Sequence, residues 1–187
     1  FRDLGIRKPD EQLSIGGDSP ANHLGKLFTG IEQLIYHHQP DRFLVLGDTN
    51  TAMSAIIAKR MHVPVYHMEA GNRCFSDDVP EEVNRRIIDH ASDIHMAYTE
   101  RSRANLLREG IASQKIFVTG NPIWEVIKDL PLTSILDDLK LEHGKYFLVT
   151  AHRQENVDDD DRLKRIVISL AALIKQYEIP VIFSCHP

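Results

Sequence analysis

The sequence predicts an α/β fold built on a parallel, Rossmann-like sheet. Short β-rich apolar runs alternate with amphipathic helical stretches from Asn22 to the end of the chain, and polar or glycine-bearing segments follow the strand ends directly. This βαβα order calls for helices on both faces of the sheet. With 187 residues, 42% of them hydrophobic and 26% charged, the chain can bury a core and has none of the biases of collagenous, disordered or disulfide-stapled proteins.

Taken in order, Leu24, Leu27, Phe28, Ile31, Leu34 and Ile35 recur at helical spacing, and Pro40 stops that helix. Arg42 to Leu46 (RFLVL) reads as a buried strand, residues 50–61 as an Ala- and Ile-rich helix, and Val63 to Met68 as a second strand. Pro80 opens a helix through Ala91, because its fixed φ suits a first turn. Ile94 to Tyr98 is a short strand, and Thr99 to Glu109 a helix closed by Gly110. Ile116 to Val118 is the next strand, and a helix follows Pro122.

Between Lys128 and Gly144 the pattern degrades around Pro131, Thr133 and Ser134. The expected organisation is therefore a first domain over residues 1–128, a linker over 129–144 and the opening of a second domain over 145–187. In the last, Tyr146 to Thr150 is a strand, Leu163, Ile166, Val167, Leu170, Leu173, Ile174 and Tyr177 share one helical face, and Val181 to Ser184 is a strand. About forty residues are too few to close a core alone. The chain also begins at Phe1 rather than Met, so it reads as a fragment with its second domain truncated.

The net charge of −5 and the lack of a strongly basic stretch argue against a grip on nucleic acid. No apolar run approaches the ~20 residues needed to span a bilayer, and no secretory signal pattern is present, so no membrane partner is expected. Cys74 and Cys185 are the only cysteines, which excludes a disulfide framework and points to a reducing, cytoplasmic compartment. The acidic run Asp158 to Asp161 reads as a solvated helix N-terminus.

In open parallel sheets, ligands bind at the carboxyl ends of the strands. Here Gly47-Asp48-Thr49-Asn50-Thr51, Glu69-Ala70-Gly71, Thr119-Gly120-Asn121-Pro122, Thr150-Ala151-His152-Arg153-Gln154-Glu155 and Cys185-His186-Pro187 follow strands. Asp48 could cap the following helix or present its charge to a ligand. Glu69, at the end of the apolar run VPVYHM, is either a proton carrier or a structural partner of Arg73 or Arg85. The acids Glu81 and Glu82, read alone, suit the first turn of a helix. His152 ends the second domain's first strand, where it would face the first domain across a cleft. His62, His67, His90 and His95 form no HExxH or CxxC grouping, so no bound metal is expected. Neither a GxxxxGK[ST] phosphate loop, a GxGxxG fingerprint nor a GxSxG elbow occurs.

Together, GDTNT at Gly47, HMEAGNRC at His67, VPEEVNRRIIDH at Val79, YTERSRANLLREGI at Tyr98, FVTGNP at Phe117 and TAHRQEN at Thr150 resemble the non-hydrolysing UDP-N-acetylglucosamine 2-epimerases. The resemblance covers nearly the whole chain in the family's order and spacing. It implies the two-domain glycosyltransferase-B type fold, with a UDP-sugar as the substrate partner, no cofactor, and a homodimer at full length. It also implies C2 inversion by elimination of UDP to a glycal and re-addition, serving surface polysaccharide precursor synthesis, and an isolated fragment that is inactive.

By motif, Asp48, Glu69, Glu81 and His152 match the family's catalytic residues, with Asp48, Glu69, Arg73 and His152 in substrate binding. Arg153 and His186 match positions near an activator site found in some bacterial members. The family's usual GLRT reads Gly71-Asn72-Arg73-Cys74 here, which is similar to subfamilies acting on modified sugars. Two other readings are a glycosyltransferase of the same fold and a non-catalytic nucleotide-sugar-binding module.

Overall fold

The computed structural model describes residues 5–16, 19–130, 134–150 and 159–184. It divides into two units, Phe1–Ile127 and Lys128–Pro187. The first begins with helix α1 (Pro20–His38), whose N-cap Ser19 accepts the Asn22 N–H and whose proline stands in the first turn. Strand β1 (Phe43–Leu46) follows, then a 3-10 turn over Asn50–Ser54 that runs into α2 (Ala55–Arg60). The sequence reads this stretch as one helix, and its first turn is instead wound more tightly. Next come β2 (Val65–Ala70), α3 (Pro80–Ala91), β3 (Ile94–Ala97), α4 (Glu100–Arg108), β4 (Ile116–Val118) and α5 (Ile123–Asp129).

The four strands form a parallel sheet in the order β1-β2-β3-β4. Val45, Val65, His67, Ala70, His95, Ala97 and Ile116 point to its covered face and are buried. Against them pack Ile35 of α1, Ala55 and Ala58 of α2, Ile88 of α3 and Leu106 of α4, in two apolar clusters. Each fully buried Val, Leu or Ile of this set contributes about 1.5–3 kcal/mol by leaving water. Leu44, Leu46 and Phe117, on the alternate positions, stay more than half exposed. Among the described residues the helices that join these strands, α2, α3 and α4, thus lie on one face, while Trp124 and Glu125 of α5 line a cavity with Met68 and Met96, which alternate to the other. A strand order that never reverses, joined by crossovers of one hand, sends every connecting helix to the same side.

Strand β2 is shifted two residues along the chain from the expected Val63–Met68. It continues through Glu69 to Ala70, with a bulge against β3 between Met68 and Ala70. Glu69 is the extra residue and holds a left-handed φ of 71°.

The second unit contains α6 (Ile135–Asp138), β5 (Phe147–Thr150), α7 (Asp160–Tyr177) and β6 (Val181–Ser184), with β5 and β6 paired in parallel. Asp159 caps α7 by accepting the N–H groups of Asp161 and Arg162, and Phe147 packs edge-on against Tyr177. No helix among the described residues is long and apolar enough to cross a membrane.

Candidate active site

The carboxyl edge of the four-stranded sheet gathers the turn after β1, the bulged end of β2 and the start of α3. Gly47 takes a φ of 75° at the end of β1, and its N–H donates to Met68 O at 3.1 Å, so the turn is stitched to β2. A β-carbon on Gly47 would stand 3.4 Å from Glu69 Oε2, which places the Glu69 carboxylate directly over that turn. Asp48 comes next in the chain. It does not cap the following helical turn, Asn50–Ser54, whose N-cap position is Thr49 and which has no side-chain cap. Instead Asp48 Oδ2 pairs with Arg85 Nη2 at 2.5 Å.

Helix α3 is tied to this edge at several points. Asn84 donates to Asp48 O at 2.9 Å and to Asn50 Oδ1 at 3.1 Å, and Arg85 bridges Asp48 to Glu82. Glu81 is exposed in the first turn of α3, and among the described residues no hydrogen bond or ion pair engages it. Glu82 beside it is fully buried and accepts the main-chain N–H groups of Cys74 at 2.9 Å and Phe75 at 3.2 Å. Burial alone would push the Glu82 carboxyl up, but these N–H groups and Arg85 hold it down at about 2. Two acids that look equivalent in sequence thus separate: Glu81 faces outward, while Glu82 folds the loop between β2 and α3.

Glu69 is not paired with either arginine that its structural reading required. Its Oε1 accepts from Asn72 Nδ2 at 3.0 Å. Burial and the Glu69 charge push the Tyr98 phenol up, which marks Tyr98 at the end of β3 as a neighbour of this carboxylate. Met68, Met96, Thr119, Gly120, Asn121 and Trp124 line a cavity of ≈ 410 Å³ near the ends of β2, β3 and β4.

Arg73, expected in substrate binding, is turned inward. Its guanidinium is fully buried and donates to Glu109 at 2.8 and 2.6 Å, to Asp89 at 2.7 Å and to Asn72 O at 2.7 Å. Burial disfavours its charge, but Glu109 and Asp89 more than offset this and hold the proton more firmly than in water. With its donors spent on these acceptors, Arg73 braces the loop from beneath rather than facing the strand edge.

Sequence reasoning missed the group that Arg73 joins. Asp89, fully buried, also accepts from the Gly71 N–H at 3.2 Å and from His67 Nδ1 at 2.7 Å, while His67 Nε2 donates to Gly47 O at 3.0 Å. Both ring nitrogens of His67 therefore face acceptors. His95 differs: Nε2 donates to Asp89 O at 2.7 Å, and Nδ1 is buried without a hydrogen-bond partner among the described residues. Asp89 lies on the buried stripe of an otherwise polar helix, and that position was the available signal. His152, Arg153 and His186 lie outside the described residues.

The sequence model of the UDP-N-acetylglucosamine 2-epimerase family matches residues 1–187. The chain belongs to that family. A family structure, UDP-N-acetylglucosamine 2-epimerase from Rickettsia bellii, is 42% identical and superposes with a TM-score of 0.89 over 99% of this chain and 50% of its own. The Methanocaldococcus jannaschii enzyme in complex with UDP-GlcNAc and UDP is 37% identical, with a TM-score of 0.85 over 100% of this chain and 53% of its own. A Pseudomonas aeruginosa relative, UDP-2,3-diacetamido-2,3-dideoxy-D-glucuronate 2-epimerase, is 38% identical over 194 residues, covering 100% of this chain and 53% of its own. The chain spans about half the length of these relatives. Its fold is the family's α/β, Rossmann-like fold of glycosyltransferase-B type.

Proposed function

We propose that the protein carrying this chain inverts C2 of a UDP-N-acetylhexosamine by eliminating and re-adding UDP. The observation that carries this reading is the placement of Glu69 over the Gly47–Asp48 turn, with α3 bound to the same turn, in a chain of this family. In the forward step the C2 proton passes to a protein carboxylate. The C2–H electron pair becomes the C1–C2 double bond, and the C1–O pair departs with UDP. Re-addition reverses these movements with a proton delivered to the opposite face, which requires acid–base groups on both sides of the sugar. Asp48, Glu69 and Glu81 are the groups this chain offers, with His152 assigned beside the diphosphate from its motif.

The substrate is UDP-N-acetylglucosamine or a sugar modified from it. The Gly71-Asn72-Arg73-Cys74 sequence and the Pseudomonas relative, named for a diacetamido uronate, support the modified class. Arg153 and His186 belong to an activator site in this reading, and the protein works as a cytoplasmic homodimer.

The test is turnover in deuterium oxide with UDP-N-acetylglucosamine and the diacetamido uronate as separate substrates. Deuterium at C2 of the product, with traces of free UDP and glycal, is the expected result. Retention of the original hydrogen at C2, or transfer of the sugar to an acceptor, would replace epimerisation with the glycosyltransferase reading.

A further inference from the structure

Glu69 stands at the end of a directed chain of hydrogen bonds. The Asn72 side chain presents its NH2 group to Glu69 Oε1, at 3.0 Å. Asn72 Oδ1 then faces Ser102 Oγ at 2.8 Å, and because an amide oxygen cannot donate, the serine hydroxyl does. With its proton committed, Ser102 Oγ can only accept from Thr99 Oγ1, which lies 3.0 Å away. Every bond from Thr99 through Ser102 and Asn72 points toward Glu69, and aligned donors of this kind polarise one another.

The supports of this chain are buried. Ser102 and Asn105 lie in the buried face of α4, and Asn105 Nδ2 donates to Gly71 O at 2.9 Å. Arg73 Nη1 holds Asn72 O at 2.7 Å, so the Asn72 backbone is fixed on both sides. The carboxylate itself stands on a bulged residue with positive φ, a backbone that re-aims the side chain out of the strand's alternation. Among the described residues no donor reaches Oε2, the oxygen over Gly47.

We propose that Asn72 is a positioning residue for Glu69: with Ser102 and Thr99 behind it, it occupies Oε1 and leaves Oε2 as the oxygen that exchanges a proton with one face of the sugar. This rests on the epimerase reading for the identity of the substrate, but the geometry it asserts does not. Taking the proton at Oε2 converts the carboxylate to the neutral acid, and giving it up restores the anion.

The test uses the protein at its full natural length. Asn72→Leu keeps the side chain's shape and removes both polar ends. It should lower kcat at least ~10-fold while KM moves less than ~3-fold, because a misaimed carboxylate impairs the transition state more than binding. Ser102→Ala should act in the same direction through Asn72, and Ser102→Thr, which restores the hydroxyl, should recover most of the rate. A merely structural role would not be rescued by one hydroxyl at unchanged thermal stability. Crystal structures of wild type and Asn72→Leu provide the second arm, in which the Glu69 carboxylate should rotate away from its wild-type position.

Wild-type rates in both Asn72→Leu and Ser102→Ala would overturn the proposal. An unmoved Glu69 carboxylate in Asn72→Leu would do so as well. If the wild-type protein turns over no UDP-sugar, the epimerase reading falls, and the crystallographic arm still decides whether Asn72 aims Glu69. Should Asn72→Leu fail to fold, the same structural comparison is made with Ser102→Ala.

Discussion

Gly71 and Ser102 approach so closely that a β-carbon on Gly71 would stand 2.3 Å from the Ser102 carbonyl oxygen. The loop leaving β2 therefore lies directly against α4, and Gly71 also adopts a φ of 79°. Gly71→Ala meets both the clash and the unfavourable backbone, with Leu106 Cγ 2.8 Å away on the same side. A loss of roughly 3 kcal/mol or more is expected. Denaturant unfolding of the variant checks it, and a change below about 1 kcal/mol would mean that the loop can lift from α4 at little cost.

Glu69→Gln, nearly the same shape, should lower kcat of the full-length protein by at least ~10²-fold, since a positioned proton carrier is lost. The melting temperature should change little, because Asn72 can still donate to the glutamine oxygen. Wild-type turnover at unchanged stability would make Glu69 a bystander to the chemistry.

Glu82 should make the fold sensitive to acid. Its carboxyl is held at about 2 in the folded state against an ordinary 4.5, so its contribution is fully present above pH 4.5 and is lost as pH falls from there toward 2. The shift corresponds to a contribution on the order of 3 kcal/mol at neutral pH. Glu82→Gln should therefore be less stable than wild type at pH 7, and the gap should narrow by pH 3. Equal gaps at the two values, measured by thermal melts, would contradict the assignment.

Asp89→Asn should be among the most damaging single changes in the core. It leaves the buried Arg73 and His67 short of a negative charge and turns an amide N–H toward one of their donors. Breaking a buried charged group from one side costs about 3–5 kcal/mol. The check is recovery: Arg73→Met with Asp89→Asn should be less destabilised than the sum of the two single variants, whereas strict additivity would show that the pair does not interact.

The sequence alone determined the alternation of strands and helices, and it placed several of their limits well. Pro80–Ala91, Ile116–Val118 and Val181–Ser184 fold over the ranges read from it, because apolar periodicity, a proline in a first turn and flanking turn residues act within a few residues of chain. It also brought Asp48 and Glu69 to notice, since residues after parallel strands collect on one edge, whereas Glu81 came only from the motif resemblance. The roles of charged neighbours were decided only by the tertiary structure. Arg73 meets Glu109 across 36 residues and Asp48 meets Arg85 across 37, distances over which no local pattern speaks. Which of Glu81 and Glu82 is buried follows from the rotation of α3 against the sheet, and the aim of Glu69 follows from a bulge whose cause lies in the pairing of β2 with β3. Local propensity acts through the chain, but a buried charge is placed by the partners that fold around it, and those partners are known only once the chain has closed on itself.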